Sequence, residues 1–421
     1  MIEISDARSQ YHQVLTGFYH DHSPVMMAFV WKYLNYIWEG FFGMYFLQIT
    51  FLYIGLLFIW KASEYFIDFK KYPYPLLLIF AMPFIPQIFL YSIAVQKDNQ
   101  FTYSFLVVAG ALSLYTVNIK KMPLYISAIL LVLLIYGTGV KYQARFVLPV
   151  LTIWMGCLLK RDSGYLSKLV YGIIAGIFVY VSTYAISETV VSKQGKDNAW
   201  QYVKLFDLAA ISISIDQDLI PDANKTSVYT FDDIKSKFQQ NAIDPYIYTK
   251  YPILRKGATY QEQEALWEVW FSAVKTHPVL YLKHRIYTFS YCLLVRVGYK
   301  HVDKLVKYYF VEGTRDYEIV SKIASVLGYI FLPQLIFFFL SAFYLYFALS
   351  NWSKTDLAKI LFAFNFMALL LAFVVIFMSM AGTPRYTFFS IVMINASHVF
   401  AMGVYQVNRK NNANQELETI Y

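Results

Sequence analysis

Long apolar runs alternate with short polar breaks along most of this chain. A helix crosses a hydrocarbon layer about 30 Å thick with roughly 20 apolar residues. Runs of that kind occupy 40–60, 74–95, 101–117, 123–139, 145–159, 165–187, 326–349, 358–380 and 384–406, and each predicts a membrane span. The 145–159 run is short, and 139–145 extends it. The aromatic run 24–38 contains Lys32 and predicts an interfacial helix or a further span. Between 188 and 325 the pattern changes. From Tyr260 onward, Leu266, Trp267, Trp270, Phe271 and Val274 recur at helical spacing and predict an amphipathic helix that Pro278 interrupts. A second amphipathic run, His284 to Val297, is too short in its apolar part to span and predicts a helix lying in the interface.

The expected fold class is therefore an all-α polytopic membrane protein. Four parts follow from the pattern: 1–39 as a first outer loop with an interfacial helix, 40–187 as an N-terminal transmembrane bundle, 188–325 as an extracytoplasmic loop domain, and 326–421 as C-terminal helices with a cytoplasmic tail. Composition sharpens this. Of 421 residues, 58% are hydrophobic and only 15% charged, against roughly 25% charged in an average soluble domain. That excludes a disordered chain or a coiled coil. Two cysteines, Cys157 and Cys292, exclude a disulfide framework. The net charge of +9 does not point to nucleic acid, because the cations sit between apolar runs, where they orient a membrane protein.

Their distribution sets the expected sidedness. One set of short loops holds Lys61, Lys70, Lys71, Lys120, Lys121, Lys160, Arg161, Lys168, Lys354, Lys359, Arg409 and Lys410; the other holds only Lys97, Lys141, Arg145 and Arg385. The richer set belongs in the cytoplasm. The chain start and the 188–325 segment then lie outside. Since 1–22 carries no signal peptide, an additional span ahead of Met1 is expected to be missing.

Three polar clusters share the outer side. The first runs from Asp6 through Gln10 to His20, Asp21, His22 and Pro24. A carboxylate there can take the proton of an attacking hydroxyl; the plainer reading is a solvated chain end. A metal is left open, although the contiguous His-Asp-His lacks the i, i+4 spacing that sets two histidines on one helix face. The second is Gln96 to Gln100, with Lys97 and Asp98, read as a polar turn between spans. The third is His277 to Arg285, including His284, followed by Arg296; these cations suit a phosphate at headgroup depth or merely anchor a helix to anionic lipid. Arg145 and Arg385 open spans from the outside, where headgroup snorkelling is the simpler account. The chain carries no phosphate-binding loop, no nucleophile elbow and no H-E-x-x-H.

The pattern Asp6…Gln10-Tyr11…Gly17-Phe18-Tyr19-His20-Asp21-His22-Ser23-Pro24 before an apolar run resembles the first outer loop of C-type membrane glycosyltransferases, the GT-C superfamily. It is most similar to bacterial relatives of dolichyl-phosphate-mannose–protein mannosyltransferases and aminoarabinose transferases. The Lys141 to Pro149 stretch, the Pro384-Arg385-Tyr386 stretch and His277 to Arg285 also look like features of that group. The resemblance implies a GT-C-like bundle in a bacterial inner membrane, with an extracytoplasmic active site. It implies inverting transfer from a polyprenyl-phosphate-sugar donor to a lipid-linked or other glycan, among membrane lipids. Asp6 maps to the general base and Asp98 to a second catalytic acid. Gln10, His20, Asp21, His22, Lys97, Arg145, His284, Arg285, Arg296 and Arg385 are the expected substrate contacts. Ser23-Pro24 stands where relatives often carry paired prolines. Two other expectations stay open. One is a polysaccharide polymerase or ligase, which would lean on His284 and Arg285. The other is a transporter, which usually shows internal repeats and mid-span charges, both scarce here.

Overall fold

A computed structural model describes residues 5–68, 74–119, 121–192, 195–293, 313–319, 321–322 and 333–420. Among these residues the protein is all-α, with no β-strand beyond isolated bridges. Five helices are long and apolar enough to cross a membrane, so the chain is an all-α membrane protein.

Two short helices open it, α1 (Ser5–Thr16) and α2 (Met26–Ile37). At about 1.5 Å per residue, the 12 residues of α2 are too short for a span. They bury Met26, Met27, Ala28 and Trp31 against α1 and the next helix, α3 (Phe42–Ser63). The predicted span 74–95 is broken. It forms α4 (Tyr74–Ala81), a 3-10 turn (Met82–Phe84) and α5 (Pro86–Ser92). Pro83 and Pro86 explain the break, since each lacks an N–H and its ring clashes with an earlier carbonyl. Carbonyls left open there need partners at membrane depth. Gln48 Nε2 donates to the carbonyls of Ser92 (2.9 Å) and Ala94 (3.1 Å), and Asn99 Nδ2 to those of Tyr91 (2.7 Å) and Ala94 (2.9 Å).

The predicted polar turn Gln96 to Gln100 is instead the start of α6 (Lys97–Val117), with Asp98, Asn99 and Gln100 buried. The segment holds no Gly or Pro to stop a helix, and Asp98 in the first turn complements the helix dipole. The bundle continues with α7 (Leu124–Val140), α8 (Ala144–Leu159) and α9 (Tyr165–Val190). The α8–α9 contact depends on Gly156 and Gly172: a Cβ on Gly156 would come within 2.4 Å of the Lys168 carbonyl oxygen, and one on Gly172 within 2.5 Å of Ile153 Cα. Small residues let membrane helices approach this closely.

The segment after α9 folds as a domain with its own core. It comprises α10 (Trp200–Ile215), α11 (Phe231–Lys237), α12 (Asp244–Ile247), α13 (Tyr260–Thr276) and α14 (Pro278–Cys292). A capping box between Thr259 and Glu262 starts α13. Leu205, Phe206, Ile234, Tyr246 and Leu266 fill the core. The expected stripe on α13 splits: Leu266 is buried, while Trp267 and Phe271 remain exposed. The second amphipathic run does not simply lie on a surface. In α14, Tyr281, His284, Arg285, Thr288 and Cys292 are buried, packed on α10 and the bundle.

Three helices complete the chain: α15 (Gln334–Ser350), α16 (Asp356–Met378) and α17 (Phe388–Ile420), the last preceded by a 3-10 turn, Pro384–Thr387. The predicted span 326–349 is described only from 333 onward, and Arg296 lies outside the described residues. α6 sits centrally, against α3, α7, α8, α16 and α17. Of the two expected loop sets, Lys70, Lys71 and Lys120 lie outside the described residues. Arg161 reaches the carbonyls of Tyr115 and Thr116 and pairs with Asp356 (3.8 Å) at one end of the bundle. Asp6, Lys97, Lys141 and Arg385 gather at the other.

Candidate functional site

Three element starts converge at that second end. Asp6 stands in the first turn of α1, Lys97 opens α6, and Arg385 lies in the 3-10 turn before α17. Arg385 Nη1 donates to Asp6 Oδ2 at 3.0 Å, and Lys97 Nζ lies 3.4 Å from the same oxygen. Lys97 also donates to Ser23 Oγ at 2.9 Å. Asp6 keeps 34% of its side-chain surface accessible, and Lys97 18%. The trio is therefore a water-reached recess. Lys97 first, then Arg385, holds the Asp6 carboxyl well below its ordinary range, against the opposing effect of burial.

Beneath this recess lies a sealed ion pair, Lys141 with Asp98, whose side chains are 5% and 2% exposed. The Lys141 ammonium sits 5.4 Å from the Tyr386 ring centroid. Asp98 is thus out of reach of an acceptor hydroxyl. Its position makes it a support under Arg385 and Tyr386, contrary to the expectation of a second catalytic acid.

The recess continues along the same end of the bundle. Asp244, at the start of α12, has its carboxyl raised by burial, with Arg385 opposing and Asp6 adding to the rise. Tyr248 follows, and its hydroxyl lies 2.9 Å from His22 Nε2. His22 Nδ1 in turn meets Asp197 Oδ2 at 2.5 Å. Asp197 also pairs with Lys256, and its N–H donates to Asp21 Oδ1 at 2.5 Å. Burial works to raise the Asp197 carboxyl, but the bonds from His22 and Lys256 outweigh it and bring the pKa down to about 2. His22 thus bridges Asp197 and Tyr248, one ring nitrogen to each. His20 is pushed down by burial and by His22. Gln10, one turn beyond Asp6, is 2% exposed, and its amide finds no partner among the described residues.

Arg145 faces a different recess, bordered by Asp21, Glu188 and Lys196. His284 and Arg285 face neither. Arg285 is fully buried and donates to Asp207 Oδ2 (2.6 Å), the Ser379 carbonyl (2.6 Å) and the Val203 carbonyl (3.2 Å). Trp270 Nε1 adds a bond to Asp207 Oδ2 at 2.8 Å. Burial pushes the Asp207 carboxyl up; Arg285, Trp270 and Lys204 oppose it. His284 Nδ1 takes a bond from Gln240 Nε2 at 2.8 Å, and burial, then Arg285, brings its pKa down to about 3. The expected phosphate contacts of His284 and Arg285 are thus replaced by an internal clamp, tying α10, α13 and α14 to the end of α16.

Among the described residues, no group of three His, Cys, Asp or Glu side chains is placed to hold a metal ion. Sequence reasoning missed Asp197, Asp207, Asp244 and Tyr248. Asp207 had a readable signal: a lone acid inside the otherwise apolar face of α10 must be paired. The others lie in loops or a short helix and gave none. Compared with known protein families, characterised proteins and solved structures, the chain finds no match.

Proposed function

We propose that this chain is a membrane glycosyltransferase that moves a sugar from a polyprenyl-phosphate donor to an acceptor hydroxyl at the Asp6 end of the bundle, which the distribution of Lys and Arg puts outside the cell. The observation that carries this reading is the trio itself: one accessible carboxylate between two cations, at the mouth of a lipid-facing helical bundle. A lipid donor needs apolar flanks for its tail and cations at headgroup depth for its phosphate. Lys97 and Arg385 supply those cations.

The acceptor oxygen attacks the anomeric carbon, and the bond from that carbon to the phosphate oxygen breaks with its electron pair going to phosphate. Asp6 receives the hydroxyl proton. Lys97 and Arg385 stabilise the charge growing on the departing phosphate. In the resting site both cations bind Asp6, which makes it a weak base. An arriving phosphate competes for them and raises its basicity where the proton must be taken. Asp98 with Lys141 fixes the floor of the site.

The His284–Arg285 clamp supports this choice over a polymerase or ligase, because those two residues are closed off from any glycan. The test is release of polyprenyl phosphate from polyprenyl-phosphate hexoses and pentoses, supplied with membrane glycans to purified chain in lipid vesicles. Acceptor-dependent release is expected; none with any donor would remove the reading.

A further inference from the structure

The recess at Arg145 is a cavity of about 170 Å³ between the loop joining α1 to α2, the start of α8, and the C-terminal end of α9. The Arg145 guanidinium carbon lies 5.3 Å from the ring centroids of both Tyr142 and Tyr180. Two rings therefore orient it, while no hydrogen bond or ion pair engages it among the described residues. An unpaired cation at a lipid boundary is costly, and a guanidinium with a free N–H fork is suited to phosphate. The other charges are already engaged or half engaged. Lys196 holds Glu188 at 2.9 Å. Asp21 spends Oδ1 on Asp197 N–H, which leaves its other carboxylate oxygen to accept a bond.

The lipid side is equally plain. α9 is the least enclosed of the five long apolar helices, with Ile177, Phe178, Val181 and Tyr184 exposed along it. Tyr184 and Ser187 carry that face into the cavity wall. The cavity has room for several waters, enough for a phosphate with a short amine arm. Acyl chains would have to run outside it, down α9.

We infer that this cavity is a docking site for a phospholipid whose headgroup carries a phosphate, held by Arg145, and an ammonium, held by Asp21. The inference does not rest on sugar transfer at Asp6. Because Asp21 also binds Asp197, an occupied site would stiffen the chain from Asp197 through His22 to Tyr248.

The test is native mass spectrometry of the full chain in detergent with dioleoyl-phosphatidylethanolamine, dioleoyl-phosphatidylglycerol or dioleoylglycerol added. One phosphatidylethanolamine per chain should be retained, more tightly than phosphatidylglycerol, with dioleoylglycerol washed off. Arg145→Ala should weaken retention by about tenfold or more. Ser187→Trp should block the cavity with Arg145 intact. Arg255→Ala, at an exposed cation 4.0 Å from Glu262, should behave as wild type. Melting curves identify folded variants. Wild-type retention by folded Arg145→Ala and Ser187→Trp, or equal retention of dioleoylglycerol, would overturn the inference. Displacement of the lipid by millimolar inorganic phosphate would make this a site for free phosphate instead. Tighter binding of phosphatidylglycerol would overturn the ammonium contact.

Discussion

Two regions of this protein carry the same chemistry in opposite surroundings. At the mouth of the bundle, Asp6 meets Arg385 and Lys97 with a third of its side chain open to water. In the loop domain, Asp207 meets Arg285 with both side chains fully buried. The sequence marks Asp6, Arg285 and Arg385 alike as candidates, because residue type and expected side of the membrane are all it displays. What separates them is access to water. Arg285 gives its two terminal nitrogens to Asp207 and two backbone carbonyls and is sealed from solvent, so a ligand cannot reach it. Lys97 and Arg385 share one carboxylate oxygen, and a second anion can compete for them.

The difference should be largest in stability. Arg285→Ala leaves the Asp207 carboxyl sealed without its cation, and breaking a buried pair in this way costs about 3–5 kcal/mol. Thermal unfolding should show the loop domain melting early. A double variant, Arg285→Met with Asp207→Leu, should recover much of the loss, and full destabilisation in both would assign the effect to packing instead. Next comes pH. His284 ionises near 6.5 when unfolded but near 3 in the fold. Below about 6.5 the unfolded chain binds a proton that the folded one refuses. Stability is therefore lost progressively as pH falls from about 6.5 toward 3. His284→Gln should flatten that slope in pH-dependent melts. The Asp6 pair behaves otherwise: its carboxyl is depressed, so its contribution persists until pH drops below the ordinary carboxylate value of 3.8.

Smaller effects belong to the open site. Arg385→Ala should cost the fold no more than about 1 kcal/mol, the usual ceiling for an accessible ion pair. A loss as large as that of Arg285→Ala would erase the distinction between the two regions. Ser23→Ala removes one hydrogen bond to Lys97 and should cost about 1 kcal/mol or less, readable as a small drop in melting temperature.

Most of the helices were legible because apolar length alone sets them. The break at 82–85 was readable from Pro83 and Pro86, yet the apolar run concealed it. The start of α6 was misread because Lys97, Asp98 and Asn99 look like a solvated turn. Asp98 and Asn99 are buried in helix because Lys141 pairs with Asp98 and Asn99 serves open carbonyls next to α5, while Lys97 stays partly open to water. The pairing of Asp6 with Arg385 spans nearly the whole chain, and no local pattern encodes it. Nor could the sequence show that Arg285 is already taken: the partner, Asp207, sits on another helix, and only packing brings the two together.

The central claim is that Asp6 acts in the open recess and does not merely brace it. The most direct measurement is acceptor-dependent release of polyprenyl phosphate by full-length Asp6→Asn beside wild type, with melting curves of both. The expected result is a loss of about 10²–10⁴-fold in rate at a stability within about 1 kcal/mol of wild type. Wild-type turnover by a folded Asp6→Asn protein would contradict the account.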